Sequence, residues 1–240
     1  MSRNMTTKWA AAAVLFLAAL SAPAAAADLQ AMPQRYVPVT NWTGVYIGGH
    51  AGGAFGGEDA TNPAIGTPVT YSTNPSGFLG GVQAGYNYQF SPSFLVGAEA
   101  DMSWSAASGN YNFITTTATG ATASGIFNSN QNWYSTAAGR LGYVIGNYML
   151  YAKGGGAWMN ADYSLAITGP VAGGSANLTR SGYVAGGGAE WMFYPGWSAK
   201  VEYNYLDFGS SVVPLGVVGA TVNSHVSTFK VGVDWHPGWF

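Results

Sequence analysis

The sequence predicts an all-β protein, an eight-stranded antiparallel up-and-down transmembrane β-barrel. Three observations predict it. Hydropathy alternates with a period of two from Trp42 to the C-terminal region, the period at which strand side chains change face. Charged residues in the strand interiors share one parity of that alternation. Tight and long connections take turns along the chain.

Composition sets the solvent. Of 240 residues, 48% are hydrophobic and only 8% charged, where a soluble domain carries about 25% charged residues. Aromatics reach 15% and there are 35 glycines. Cysteine is absent, so disulfides and thiolate metal sites are excluded. The formal charge of −2 offers nothing to nucleic acid.

Residues 1–27 read as a secretory signal peptide for Sec-type export. Arg3 and Lys8 form the positive start, Ala10 to Leu20 the apolar run, and Ala25 and Ala27 an A-x-A site with cleavage expected after Ala27. Cleavage leaves six basic and ten acidic residues, a mature charge of −4. No later apolar run is long enough for a spanning helix, so any insertion is by strands, which satisfy the backbone in lipid only as a closed barrel. Residues 28–41, with Pro33 and Pro38, read as a periplasmic lead-in, and residues 42–240 as the barrel.

The strands follow in order. The first runs from Trp42 to about Phe55. The second puts Phe78, Val82, Ala84, Tyr86, Tyr88 and Phe90 on one face and Gln83, Asn87 and Gln89 on the other. The third puts Phe94, Val96, Ala98, Ala100, Met102 and Trp104 opposite Glu99, Asp101 and Ser103. The remainder are Asn132 to Ile145, Tyr148 to Asn160, Gly182 to Phe193, Trp197 to Phe208, and about His225 to Trp235. Tight turns are expected at Ser91–Ser93, Gly146–Asn147 and Tyr194–Gly196. Long loops are expected over 56–76, 105–131, 161–181 and 209–224, rich in Thr, Ser, Asn, Gly and Ala. Short periplasmic turns alternating with longer external loops are the layout of an outer-membrane barrel.

Alternation alone also fits a soluble barrel, so the outward face decides. An eight-stranded barrel is only wide enough for side chains to fill. The bulky aromatics therefore belong outside. Nine charged residues have the inward parity: Glu99, Asp101, Arg140, Lys153, Glu190, Lys200, Glu202, Lys230 and Asp234. The outward face of the strand interiors carries none, as expected where a mid-bilayer Arg or Lys costs roughly 2–4 kcal/mol. Glu58, Asp59, Asp162, Arg180 and Asp207 are placed in loops or at strand ends. Aromatics fall in two bands, at the turn ends and near the loop ends, like the girdles at two membrane interfaces.

Several motifs resemble the small outer-membrane β-barrel ("porin family") proteins of alpha-proteobacteria, related to the OmpA-like transmembrane barrel. They are Asn41-Trp42-Thr43-Gly44-Val45-Tyr46-Ile47-Gly48-Gly49, Gly139-Arg140-Leu141-Gly142-Tyr143, Leu150-Tyr151-Ala152-Lys153-Gly154-Gly155 and Trp197-Ser198-Ala199-Lys200-Val201-Glu202-Tyr203. The resemblance implies a Gram-negative outer-membrane location and a structural or surface-antigen role. It also implies contact with outer-membrane lipid and lipopolysaccharide, and folding by the barrel-assembly machinery. That machinery reads a terminal aromatic. Lys230, Gly232 and Trp235 fit the signal, but its last position falls on Pro237, and Phe240 stands three residues later. Some relatives bind haemin and others are described as porins. No peptidoglycan-binding domain is expected after the barrel.

The inward charges are the one polar constellation. The expected role is structural, in a filled lumen with Arg140 facing Glu99 or Asp101, since buried charges persist only when paired. The alternative is a narrow pore. Glu99 and Asp101 could act as acid and base. With no His on that face and no nucleophile motif, no enzyme is expected. His50 and His225, near the loop ends of neighbouring strands, are the candidate haem or metal ligands; otherwise no cofactor or metal is expected. Two G-x-G pairs, Gly154 with Gly156 and Gly186 with Gly188, lack the third glycine of a nucleotide loop.

Overall fold

The computed structural model describes residues 40–62, 69–116, 120, 122–168, 173–215 and 218–238. The expected signal segment, its cleavage site, most of the lead-in and Phe240 lie outside the described residues.

Nine strands are described: β1 Gly44–Asn62, β2 Val69–Thr73, β3 Ser76–Ser91, β4 Phe94–Thr116, β5 Thr122–Ile145, β6 Tyr148–Thr168, β7 Gly174–Tyr194, β8 Trp197–Leu215 and β9 Val218–Trp235. Each pairs antiparallel with its neighbours, and β1 pairs with β9 from Ile47↔Trp235 to Thr61↔Thr221, which closes the ring. Closure gives the strands of the ring partners on both sides, the condition for strands in lipid.

The ring has eight strand positions, because β2 and β3 share one. β1 pairs with β3 over Gly44–Phe55 and with β2 over Glu58–Asn62. The break between them is Asn74–Pro75. Proline has no N–H to donate to a ladder. Its carbonyl instead accepts from Gly56 N at 2.7 Å, which bridges the gap.

The three tight turns are where the sequence puts them. Gly146 has φ +59°, suited to the first central position of a two-residue hairpin turn. The four long connections differ from expectation. Strands continue through most of 56–62, 105–116, 122–131, 161–168, 174–181 and 210–215. Alternation persists there with its chemistry inverted. Along β4 the inward residues change from Glu99, Asp101 and Ser103 to Ala107, Tyr111 and Phe113, and the outward ones from Ala100 and Trp104 to Ser108, Asn110 and Asn112. A bulge in β5 near Asn132 changes parity, so Phe127, Ser129 and Gln131 point inward below it in number and Tyr134, Thr136 and Arg140 above it. These segments read as loops because they are rich in Ser, Thr and Asn, and those residues occupy their outer face.

The interior has three levels. At the turn end Trp42, Leu95, Val144, Met149, Tyr151 and Met192 form one apolar cluster. Toward the loop end Phe127, Tyr134, Met159, Tyr163, Leu165, Leu206, Phe208, Val222 and Val226 belong to a larger one. Charged and amide side chains fill the level between.

Candidate functional site

The middle level is built by inward residues of every strand position, each supplied by the two-residue period. All nine expected lumen charges point inward and are buried. Lys153 Nζ lies 2.9 Å from Glu99, 2.8 Å from Glu202 and 3.5 Å from Asp101. Lys200 Nζ is 2.9 Å from Glu99 and 3.8 Å from Asp234, and Lys230 Nζ is 2.9 Å from Asp101. Arg140 reaches Glu190 at 2.8 Å and Glu99 at 3.4 Å. The sequence-level pairing of Arg140 with Glu99 is thus present, and Glu190 is its shorter contact. Asp101 is held by lysines.

Neutral groups complete the network. Tyr46 donates to Glu99 at 2.8 Å and accepts from Arg140 at 2.7 Å. Tyr151 donates to Glu202 at 2.8 Å, and its ring centre lies 4.0 Å from the Arg140 guanidinium carbon. Thr136 donates to Asp101 at 2.5 Å, Gln83 to Asp234 at 2.6 Å, and Ser198 to Glu190 at 2.6 Å. Four cations therefore meet five carboxylates with most lone pairs taken, the condition under which buried charge is tolerated. Glu99, Asp101 and Glu202 lie close enough together to suggest a cation site. The Lys153 ammonium already touches all three and serves as that cation.

The two candidate histidines do not meet. His50 points inward, with Nδ1 2.6 Å from Gln83 and Nε2 2.8 Å from Ser103. His225 has the outward parity and stacks on Tyr205 at 6.0 Å. In the ladder His50 is opposite Gly232, and His225 is opposite Gly57. Their strands are neighbours as expected, but the register sets them seven residues apart and the pleat sets them on opposite faces. His236 instead joins the network from the turn end, 2.9 Å from Ser198 and 3.6 Å from Glu190.

A second polar site was hidden in segments read as loops. Glu58 and Arg180 are buried inside the upper cluster. Glu58 accepts from Gln131 at 3.1 Å and from Ser224 at 3.4 Å. Arg180 donates to Ser224 at 2.6 Å and to the carbonyls of Gly209 at 2.5 Å and Val222 at 3.0 Å. Parity could have found Arg180, which is in phase with Gly186, Gly188 and Glu190.

The outer wall completes the geometry. Phe78, Val82, Tyr86, Phe94, Trp104, Leu141, Leu150, Trp158, Val201 and Val231 are all exposed on it. An apolar area of this extent marks contact with lipid or a partner. At the turn end Tyr148 stacks on Trp191 at 6.1 Å, and Phe94 packs on Tyr143 at 5.2 Å. Above Trp104, Trp133 and Trp158 the wall turns mostly polar, with Ile114, Ile126 and Val212 as exposed apolar exceptions. There Asn132 and Asn177 donate to Asp162, which holds its carboxyl below the usual carboxylate range.

The model of the outer membrane protein β-barrel domain matches residues 12–236. The chain belongs to that family. Among curated proteins, the 31 kDa outer-membrane immunogenic protein of Brucella melitensis biotype 1 is 31% identical over 243 residues, covering 93% of this chain and 95% of its own. The 22 kDa outer membrane protein of Rhizobium leguminosarum bv. viciae is 27% identical, covering 82% and 78% respectively. Among solved structures, Neisserial surface protein A matches with a TM-score of 0.45 and 13% identity, over 81% of this chain and 97% of its own. The outer membrane protein OprG of Pseudomonas aeruginosa matches at 0.43 and 13%, over 82% and 99%. The family and its curated relatives place this barrel in the outer membrane.

Proposed function

We propose that the protein is a sealed, non-enzymatic barrel that supports the integrity of the outer membrane and presents its loop-end strands as a contact surface outside the cell. One observation carries this reading: the charge network lies between two apolar clusters. Trp42, Leu95, Met149 and Met192 stand below it, and Phe127, Tyr134, Leu165, Leu206 and Val226 above it. An ion path needs an open polar lining. Bulky apolar side chains fill the lumen at both ends, and the polar groups set among the upper ones, Glu58 and Arg180, are tied to Gln131, Ser224 and backbone carbonyls. The similarity to a Brucella protein named as immunogenic supports the surface role.

The same reading has the precursor exported by the Sec route and cleaved after Ala27. The barrel-assembly machinery reads Lys230, Gly232, Trp235 and Phe240, and lipopolysaccharide meets the polar wall above the upper aromatic row. No haemin is held between His50 and His225, which share no site. Planar-bilayer recording tests the central claim. The purified barrel is expected to give no steady conductance above baseline. A reproducible single-channel step that is lost in Lys153→Met would replace the sealed barrel with a pore.

A further inference from the structure

The upper part of the barrel has an open seam between β7 and β8. These strands pair from Tyr194↔Trp197 to Tyr183↔Asp207, and among the described residues their ladder stops there. Above it β8 pairs with β9 alone, from Ser210↔Asn223 to Leu215↔Val218. The ladder ends at a bulge at Phe208–Gly209. Gly209 has φ +59°, a conformation open to glycine, and β8 shifts its register with β9 by one residue there. Arg180 fills the base of the seam by reaching from β7 to the Phe208 and Gly209 carbonyls of β8.

The β7 side of this seam is an available edge, and its free groups can be named. Met192 N donates to Asn147 O on the β6 side. The β6–β7 register runs without a shift from Tyr148↔Trp191 to Leu165↔Gly174. In an antiparallel strand the N–H and C=O of one residue face one neighbour and those of the next face the other. Even-numbered residues of β7 therefore face β6. Ser175, Asn177 and Thr179 aim their N–H and C=O groups into the seam.

Edge strands are commonly blunted by charge, proline, a bulge or short length. The β8 edge has the Gly209 bulge and Pro214. The β7 edge has no proline or bulge, and its one charge, Arg180, is drawn inward to the β8 carbonyls at the base of the seam, below Ser175, Asn177 and Thr179. It alternates regularly, with Ser175, Asn177 and Thr179 exposed and Ala176 and Leu178 packed on the upper cluster. No charged residue occurs between Tyr163 and Thr179. It also stands above the row of Trp158 and Tyr183, clear of the apolar band.

We propose that this edge binds an extended, uncharged peptide segment of another protein by strand addition, with Ser175, Asn177 and Thr179 supplying the main-chain hydrogen bonds. A second copy in the same membrane does not fit. Two such barrels are related by an axis along the membrane normal. Strands tilted about 35–45° from that normal would then cross at roughly twice the tilt, too steeply for a ladder. The inference rests on the surface reading only for where the partner comes from. The binding itself is tested on the folded barrel in detergent, so either can fail without the other.

The probe is a fluorescein-labelled, end-blocked peptide Ser-Thr-Val-Thr-Val-Thr-Ser, followed by anisotropy. Saturable binding is expected, weakened at least about ten-fold when alternate residues of the probe are N-methylated, which removes its donors. The Ser175→Pro/Thr179→Pro variant should lose binding to the same extent, and Ser175→Ala/Thr179→Ala should keep it. A benzophenone version of the probe should cross-link to residues 174–181 of the unaltered protein, a readout independent of how the proline variant folds. Equal binding of the N-methylated probe, cross-links elsewhere, or no binding up to about 1 mM would each overturn the proposal.

Discussion

The lower and upper halves of this barrel are inside-out versions of each other. Below the Trp104–Trp158 row the wall is apolar and the interior holds Glu99, Lys153 and Arg140. Above it the wall carries Asn110, Asn128 and Asp162, and the interior holds Phe127, Tyr163 and Leu165. One ladder runs through both, so backbone pairing does not choose the face. The surrounding medium does. In hydrocarbon the wall must be apolar, and the narrow lumen is left to polar groups that satisfy one another. In water the usual burial of apolar surface returns.

The comparison predicts different costs for the same kind of change. The largest is expected inside the lower half. Glu99 answers Lys153, Lys200 and Arg140, and removing it leaves three buried cations short of a partner. Glu99→Ala should destabilise the barrel by about 3–5 kcal/mol in urea unfolding from lipid vesicles. A loss under about 1 kcal/mol would mean that water reaches the network.

The wall gives the next test. Ala100 faces outward midway between Phe94 and Trp104, and Ser108 faces outward on the same strand above Trp104. Ala100→Arg should cost about 2–4 kcal/mol. Ser108→Arg should stay within about 0.5 kcal/mol. Equal costs would place the bilayer boundary elsewhere than the tryptophan row.

That boundary also separates what could be read in the sequence from what could not. The lower half was legible because its parity is reinforced twice, by apolar residues outside and charges inside. Glu99, Asp101, Lys153 and Glu190 could be assigned a face without coordinates. The upper half keeps the period but reverses the sign, and Ser, Thr and Asn on an outer wall look like loop composition. Glu58 and Arg180 were lost with it. The Asn132 and Gly209 bulges add to this, since each shifts the phase by one residue. The histidines failed for another reason. Neighbouring strands were the right inference for His50 and His225, but register and pleat are set by the whole closed ladder.

Arg180 offers a smaller, local effect. Its guanidinium serves the Phe208, Gly209 and Val222 carbonyls around the β8 bulge. Arg180→Met keeps the apolar stem and leaves those acceptors short of a donor, at about 1–3 kcal/mol. Hydrogen exchange should quicken in the upper parts of β8 and β9 and stay unchanged around Lys200 and Lys230. Uniform loss of protection along both strands would show the two halves to be one cooperative unit.

The smallest expected effect separates the two histidines. His50 sits in the lumen between Gln83 and Ser103, and His50→Ala strands both partners, at about 1–3 kcal/mol. His225 lies on the outer wall against Tyr205, and His225→Ala should cost no more than about 0.5 kcal/mol. Haemin titration adds a functional reading of the same pair. If the register holds, neither substitution changes absorbance on haemin addition, because one imidazole is enclosed and the other faces outward. A haemin spectrum lost in both variants would require the two side chains to meet, and the β1–β9 ladder would have to slip by several residues to allow it.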